Sequence, residues 1–220
     1  RNLKNYPVHG VNIAAREVSG DFFSFYPHND SIYFIIADVA GKGIHAGMVM
    51  AKASTLFEVL SQSKVDPDEM VFHMNNDLNN TKTSGMFVTS IVGEYNLISD
   101  EIRWVNAGHQ PAIIRDDNGK YNKIDSSAPP LGVIKQKNKE VYKVNKIKLN
   151  GSRFYAFTDG LSESLNNEGK EIGIEGSIDI LEENFSTNVI KQLDDITNSV
   201  VKNSKNRKLT DDLTLISIGK

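Results

Sequence analysis

Three short runs constrain this chain more than any other feature. Residues 31–39 (SIYFIIADV), 153–158 (RFYAFT) and 213–218 (LTLISI) are rich in aromatic and β-branched residues and are flanked by turn formers. Each is apolar at consecutive positions, so each reads as a central strand buried on both faces. Each also carries acid at one end. Asp38 and Asp159 sit at the close of the first two runs, and Asp211-Asp212 opens the third. If the third strand runs antiparallel to the others, all three acids fall on one edge of the sheet. Asp21, which opens the strand-like GDFFSFY, reaches the same edge from a fourth strand.

Carboxylates brought within a few Å repel one another, and buried charge without compensation is costly. Their convergence would demand a cation. An Asp before Gly is also a common turn signal, so spacing alone leaves both a turn reading and a metal reading open. Ligand chemistry narrows the cation. All-oxygen sites favour Mg²⁺, Ca²⁺ or Mn²⁺, whereas zinc and copper recruit Cys or His. The chain has no Cys, and none of its five His falls in a ligand-like repeat, so Mg²⁺ or Mn²⁺ is expected. Two such ions about 4 Å apart can ionise a bridging water at neutral pH and clamp the oxygens of an in-line phosphoryl displacement.

Six motifs carry a resemblance. Val18-Ser19-Gly20-Asp21-Phe22-Phe23, Ala37-Asp38-Val39-Ala40-Gly41-Lys42-Gly43, Asn106-Ala107-Gly108-His109-Gln110-Pro111, Pro130-Leu131-Gly132-Val133, Phe157-Thr158-Asp159-Gly160-Leu161-Ser162-Glu163 and Asp211-Asp212-Leu213-Thr214-Leu215 follow one another over nearly the whole chain. In order and spacing they resemble the SpoIIE/RsbU-like branch of the PPM (PP2C-type) protein phosphatases. The resemblance implies an α+β fold, a four-layer α-β-β-α sandwich of two mostly antiparallel sheets, with residues 5–220 as one phosphatase domain. It implies two Mn²⁺ or Mg²⁺ ions: Asp38 bridging both, Asp21 and the Val39 carbonyl completing one site, Asp159 and Asp211 the other, with Asp212 a weaker ligand candidate. The implied substrate is a phosphoserine or phosphothreonine on a regulatory protein, typically a STAS-domain anti-anti-sigma factor in a partner-switching pathway. Relatives of this kind carry a sensory or receiver domain upstream, and the chain opens at Arg1 rather than Met; an upstream regulatory region, through which the protein could form a homodimer, is therefore expected.

Departures from the pattern matter. The slot of the superfamily's proposed general-acid histidine holds Ala40, so the leaving-group proton is expected from water at the ions. Ser19 replaces a more usual glycine, which is harmless unless that residue needs positive φ. His45 stands where proline is common and reads as a first-turn surface residue. Arg16, five residues before Asp21, and Lys42, in a Gly-flanked turn before a helix, are candidates for substrate phosphate, which suits a guanidinium fork or a helix N-terminus. His109, between two strands, reads as a structural histidine bonded to nearby backbone.

Length and composition agree with one enzyme domain. At 220 residues the chain can bury a substantial core. A net charge of −3 carries no nucleic-acid signature and disfavours a rival two-metal nuclease. No stretch approaches the roughly 20 apolar residues of a membrane span, and the absence of Cys fits a reducing cytoplasm. Helices are expected over 44–60 (Val49, Ala53, Leu56 and Leu60, with Ile44, Met48 and Ala51 on a neighbouring buried stripe), from Asp66 onward (Asp66 as cap, Glu69 reaching back, Val71, Met74 and Leu78 inward) and over 187–202. The lysine-rich stretch 135–148 reads as an edge hairpin. Residues 166–173 read as a mobile flap. A non-catalytic phosphoprotein-binding module is the remaining alternative class.

Overall fold

The computed structural model describes residues 6–15, 19–81, 85–166, 168–203 and 209–219. Among the described residues, ten strands form two five-stranded antiparallel sheets. One sheet has the order β1 (Val8–Ile13), β10 (Leu213–Ile218), β9 (Arg153–Phe157), β6 (Ala112–Arg115), β7 (Tyr121–Ile124). The other runs β2 (Phe22–His28), β3 (Ser31–Val39), β4 (Val88–Asn96), β5 (Glu101–Ala107), β8 (Asn145–Lys148). The helices α1 (Ile44–Gln62) and α2 (Pro67–Asn80) cover the second sheet; α3 (Asp159–Ser162), α4 (Gly173–Glu183) and α5 (Val189–Asn203) lie on the side of the first.

The period-two geometry of a strand explains why the runs are apolar throughout. On β3, Ile32, Phe34 and Ile36 enter the core between the sheets, while Tyr33, Ile35, Ala37 and Val39 pack under α1 and α2. On β9, Phe154 and Ala156 face the other sheet and Tyr155 and Phe157 face the helices; on β10, Ile216 and Ile218 divide from Leu213 and Leu215 in the same way. The result is the expected α-β-β-α sandwich. Its middle layer is fastened by Phe154, whose ring meets Phe34 and Trp104 edge-on at 5.6 and 5.3 Å.

The helices needed correction in detail. α1 buries Ala46, Val49, Ala53 and Phe57, whereas Ile44 and Met48 are 73% and 67% exposed. With the sheet below and α2 on one flank, only one stripe of α1 has cover. Asp66 precedes α2 but makes no side-chain cap; its carboxylate takes a hydrogen bond from Arg103 Nη1 at 2.9 Å, and Glu69 faces His73 and Lys139 instead of reaching back. Val71, Met74 and Leu78 are buried as expected; on α5 Leu193, Ile196 and Val200 are buried and Val189 is partly buried. The 135–148 stretch is no hairpin: a 3-10 turn at Lys139–Val141 leads into β8, which pairs only with β5 and does form a sheet edge. Leu165 bridges Glu171, and Asn166 Oδ1 accepts from the amides of Glu168 and Lys170.

Candidate metal centre

Both sheets deliver acid to the same end of the sandwich. In one sheet Phe22 pairs with Ala37 across β2 and β3, so Asp21 and Asp38 come next to each other one step beyond that pair. In the other, Leu215 pairs with Phe157 and the Thr158 amide bonds the Thr214 carbonyl at 3.0 Å, which sets Asp159 beside the start of β10 and hence beside Asp211-Asp212. The expectation of a single sheet edge is therefore corrected: Asp38 lies on one sheet and Asp159 and Asp211 on the other. Strands covered on both faces look alike in either sheet, so their pattern does not report sheet membership.

Close main-chain approach makes the meeting possible. A Cβ on Gly160 would stand 1.9 Å from the Asp212 carbonyl oxygen. Glycine there lets α3 begin directly against the strand that follows Asp212. Gly20 packs close under the second motif, its Cβ position 3.3 Å from the Val39 carbonyl oxygen and 3.7 Å from Asp38 Oδ1. The Ser19 hydroxyl accepts from the Asp21 amide at 3.1 Å and donates to the Asp21 carbonyl at 3.0 Å, so serine closes this turn with its own side chain.

Asp21 is 4% exposed and lies against the Thr158 and Thr214 hydroxyls of the opposite sheet. Asn12 fixes Thr214 through a 2.7 Å bond to Oγ1. The Asp21 and Asp38 carboxyls are close enough to share a proton. Burial chiefly, with the charge of Asp38 adding to it, pushes the Asp21 carboxyl up to about 9. Burial also leads at Asp38, pushed up to about 6, followed by the charges of Asp159, Asp211 and Asp212. Asp159 is raised by burial and then by Asp211. Glu163, one turn on, is raised by burial and then by Asp159.

Among the described residues no three acidic or histidine side chains stand in ligand-ready geometry. Asp211 is instead drawn to Lys42, whose Nζ lies 2.8 Å from Oδ2, and its Oδ1 accepts from the Asp212 amide at 3.0 Å. Asp21 Oδ2 is buried with no hydrogen-bond partner. An orphaned carboxylate oxygen among mutually repelling acids, with no His or Cys in the group, fits a hard divalent cation.

Asp212, a weak ligand candidate by sequence, has both oxygens engaged: Oδ1 accepts from the Ala15 amide at 2.7 Å and Oδ2 from the Gly20 amide at 2.9 Å. It clamps the segment that carries Asp21. Sequence reading missed this role, as it missed Thr158, Thr214 and Glu163, although all lie inside the quoted motifs or, for Glu163, at the end of one. Arg16 lies outside the described residues. His45 is exposed on the first turn of α1. His109 is structural: its Nδ1 meets Thr89 Oγ1 at 2.8 Å, its amide donates to Asn106 Oδ1 at 2.9 Å, and burial holds the imidazole down at about 4, hence neutral. Its Nε2 faces the Phe157 carbonyl without a hydrogen bond of good geometry.

A sandwich with acids at one end of its paired sheets defines a PP2C-type domain. The fold overlays the SiaA-PP2C domain of Pseudomonas aeruginosa with a TM-score of 0.84 at 15% identity, covering 97% of this chain and 85% of that one. It overlays the RsbU and RsbW domains of Rv1364c from Mycobacterium tuberculosis with a TM-score of 0.80 at 21% identity, covering 96% and 58%. The chain belongs to the Stage II sporulation protein E (SpoIIE) family, whose profile matches residues 28–219. Phosphoserine phosphatase RsbU of Bacillus subtilis (strain 168) is 25% identical over 211 residues, 95% of this chain; the chain spans 62% of that protein's length. No described helix is long and apolar enough to cross a membrane.

Proposed function

We propose that the chain is a Mg²⁺- or Mn²⁺-dependent protein phosphatase that hydrolyses phosphoserine or phosphothreonine on a regulatory protein, of the STAS-domain anti-anti-sigma type, in the cytoplasm. One observation carries this reading: Asp21, Asp38, Asp159 and Asp211 come from both sheets to one end of the sandwich, with an unpartnered carboxylate oxygen in their midst. Membership of the SpoIIE family and the likeness to a phosphoserine phosphatase support the reaction class.

Asp21, Asp38 and the Val39 carbonyl would hold one ion, and Asp38, Asp159 and Asp211 a second. Bound there, the ions supply an ionised water and charge neutralisation for direct attack on phosphorus. The protein's own share is positioning. Asp212 anchors the Asp21 segment, the Thr158 and Thr214 hydroxyls orient the Asp21 carboxylate, and Gly160 lets the two acid-bearing segments touch. Lys42, at the exposed rim beside Asp211, is within reach of a phosphoryl group placed over the acids. With Ala40 in the histidine slot and His109 buried and neutral, the leaving group's proton comes from solvent.

Mn²⁺-dependent release of phosphate from p-nitrophenyl phosphate and from a phosphorylated STAS-domain protein tests the proposal. Asp38→Ala and Asp211→Asn should each lower turnover by roughly 10²-fold or more, since each removes a ligand of the charge-stabilising centre. Equal turnover in wild type and both variants would rule out the mechanism. No turnover by wild type on either substrate would favour a non-catalytic module that binds the phosphoprotein.

A further inference from the structure

Far from the acids, two arginines stand in an unusual relation. Arg115 and Arg153 are direct partners across β6 and β9, a position where like charges repel. Neither forms an ion pair with any described acid. Arg153 is 3% exposed. Its Nη1 donates to the Ser186 carbonyl at 2.7 Å and Gln192 Oε1 at 3.0 Å, and Nη2 reaches the Thr187 carbonyl at 3.4 Å, all neutral acceptors. Its Nε is buried with no acceptor. Arg115 makes one long contact, Nη1 to the Asp116 carbonyl at 3.4 Å, and its guanidinium otherwise faces the Tyr121 hydroxyl.

The Phe185 ring serves both side chains, its centroid 3.7 Å from Arg115 Cζ and 5.3 Å from Arg153 Cζ. Stacking of this kind occupies the guanidinium faces and leaves their N–H edges available. Phe185 is 38% exposed, so the cluster opens to the surface. Beside it, the Tyr121 ring lies 6.0 Å from Arg115 Cζ, and its hydroxyl is buried with no hydrogen-bond partner of good geometry. Glu182 is near enough to act on Tyr121 but pairs with neither arginine. A buried cation held only by neutral oxygens is costly, and unused donors from two neighbouring side chains share the place.

We propose that Arg115, Arg153 and Tyr121 form a binding site for a small tetrahedral oxyanion of the phosphate class, whose double charge answers the two guanidinium groups. The donors are the Arg153 Nε, the Arg115 guanidinium edge and the Tyr121 hydroxyl, which faces Arg115 and keeps its own proton to donate. The site is separate from the substrate position, because β9 carries the chain from Arg153 to Phe157, roughly 15 Å of extended strand, before Asp159 is reached. The strand that begins at this site ends next to one of the candidate metal ligands.

Thermal unfolding in EDTA, with inorganic phosphate titrated against chloride at constant ionic strength, tests the site. Wild type and Asp38→Ala should show the same saturable rise in Tm, roughly 3–6 °C at ten times Kd. Arg115→Gln and Tyr121→Phe should each weaken the midpoint by tenfold or more. A wild type with no saturable rise over chloride, or variants that respond as wild type does, would overturn the proposal. Should Arg115→Gln fail to fold, Tyr121→Phe, which removes a single hydroxyl, decides the matter alone.

Discussion

Asp212 shows how much one side chain can organise without touching a substrate. Each of its oxygens accepts a hydrogen bond from a main-chain amide, at Ala15 and at Gly20, on either side of the segment that leads into Asp21. Charge-assisted bonds of this sort contribute more than neutral ones. Asparagine keeps the shape but offers one acceptor, and its NH₂ would confront an amide N–H. Asp212→Asn is therefore expected to cost roughly 2 kcal/mol in urea denaturation and to raise the Mn²⁺ concentration for half-maximal thermal stabilisation about tenfold, a tenfold change corresponding to about 1.4 kcal/mol. Wild-type stability and wild-type Mn²⁺ dependence in this variant would remove its positioning role. The adjacent Asp-Asp pair was visible in the sequence, but its division of labour was not. Two neighbours on a strand point to opposite sides, and which side faces the other acids depends on the partner sheet.

The third and fourth motifs prove to be supports when followed to their elements. Leu131 pairs with Val88 at the start of β4, through bonds of 2.8 and 2.9 Å, and is fully buried under α2. Asn75 of α2 holds that loop: its Oδ1 accepts from the Gly132 amide at 3.0 Å and its Nδ2 donates to the Ile134 carbonyl at 3.0 Å. Directly alongside, the Ala40 amide bonds the Phe87 carbonyl at 2.9 Å, so the same loop backs the turn that follows Asp38. Asn75→Leu should leave both loop groups unsatisfied and destabilise by roughly 2–4 kcal/mol, with Asn75→Ala nearer the lower value; an unchanged urea midpoint would refute this. Strands with strong patterns were legible, β3 and β10 to the residue. α4 was not, because its two glycines, Gly173 and Gly176, weaken a helical reading and its apolar positions Ile174, Ile178, Ile180 and Leu181 are matched by as many acids. α1 misled in the opposite way: apolar residues on two stripes suggested two buried faces where one has cover.

At the scale of the whole molecule, the two sheets share an apolar middle layer along their length but meet at one end through repelling carboxylates. Six motifs read along one dimension placed these acids at strand ends and, through family resemblance, supplied the two-sheet architecture; the distribution of acids between the sheets needed the pairing of β3 with β2 and β4 and of β10 with β1 and β9. That distribution has a thermodynamic consequence. A cation held by Asp21 and Asp38 from one sheet and by Asp159 and Asp211 from the other would join two layers that otherwise repel there, so it should stabilise the whole fold against global unfolding and not merely order a loop. At a hundred times Kd the gain is about 2.7 kcal/mol, a rise in Tm of roughly 5–10 °C for a domain of this size. In EDTA, by contrast, Asp38→Asn should unfold at a higher temperature than wild type, because it removes the charge that faces Asp21, Asp159, Asp211 and Asp212 at once. Added Mn²⁺ should reverse the order, lifting wild type above a variant that no longer responds, a trade of stability for function set by one side chain. Calorimetry of the two proteins with EDTA and with Mn²⁺ reads all four values, and a wild type indifferent to Mn²⁺ would show that no ion spans the sheets.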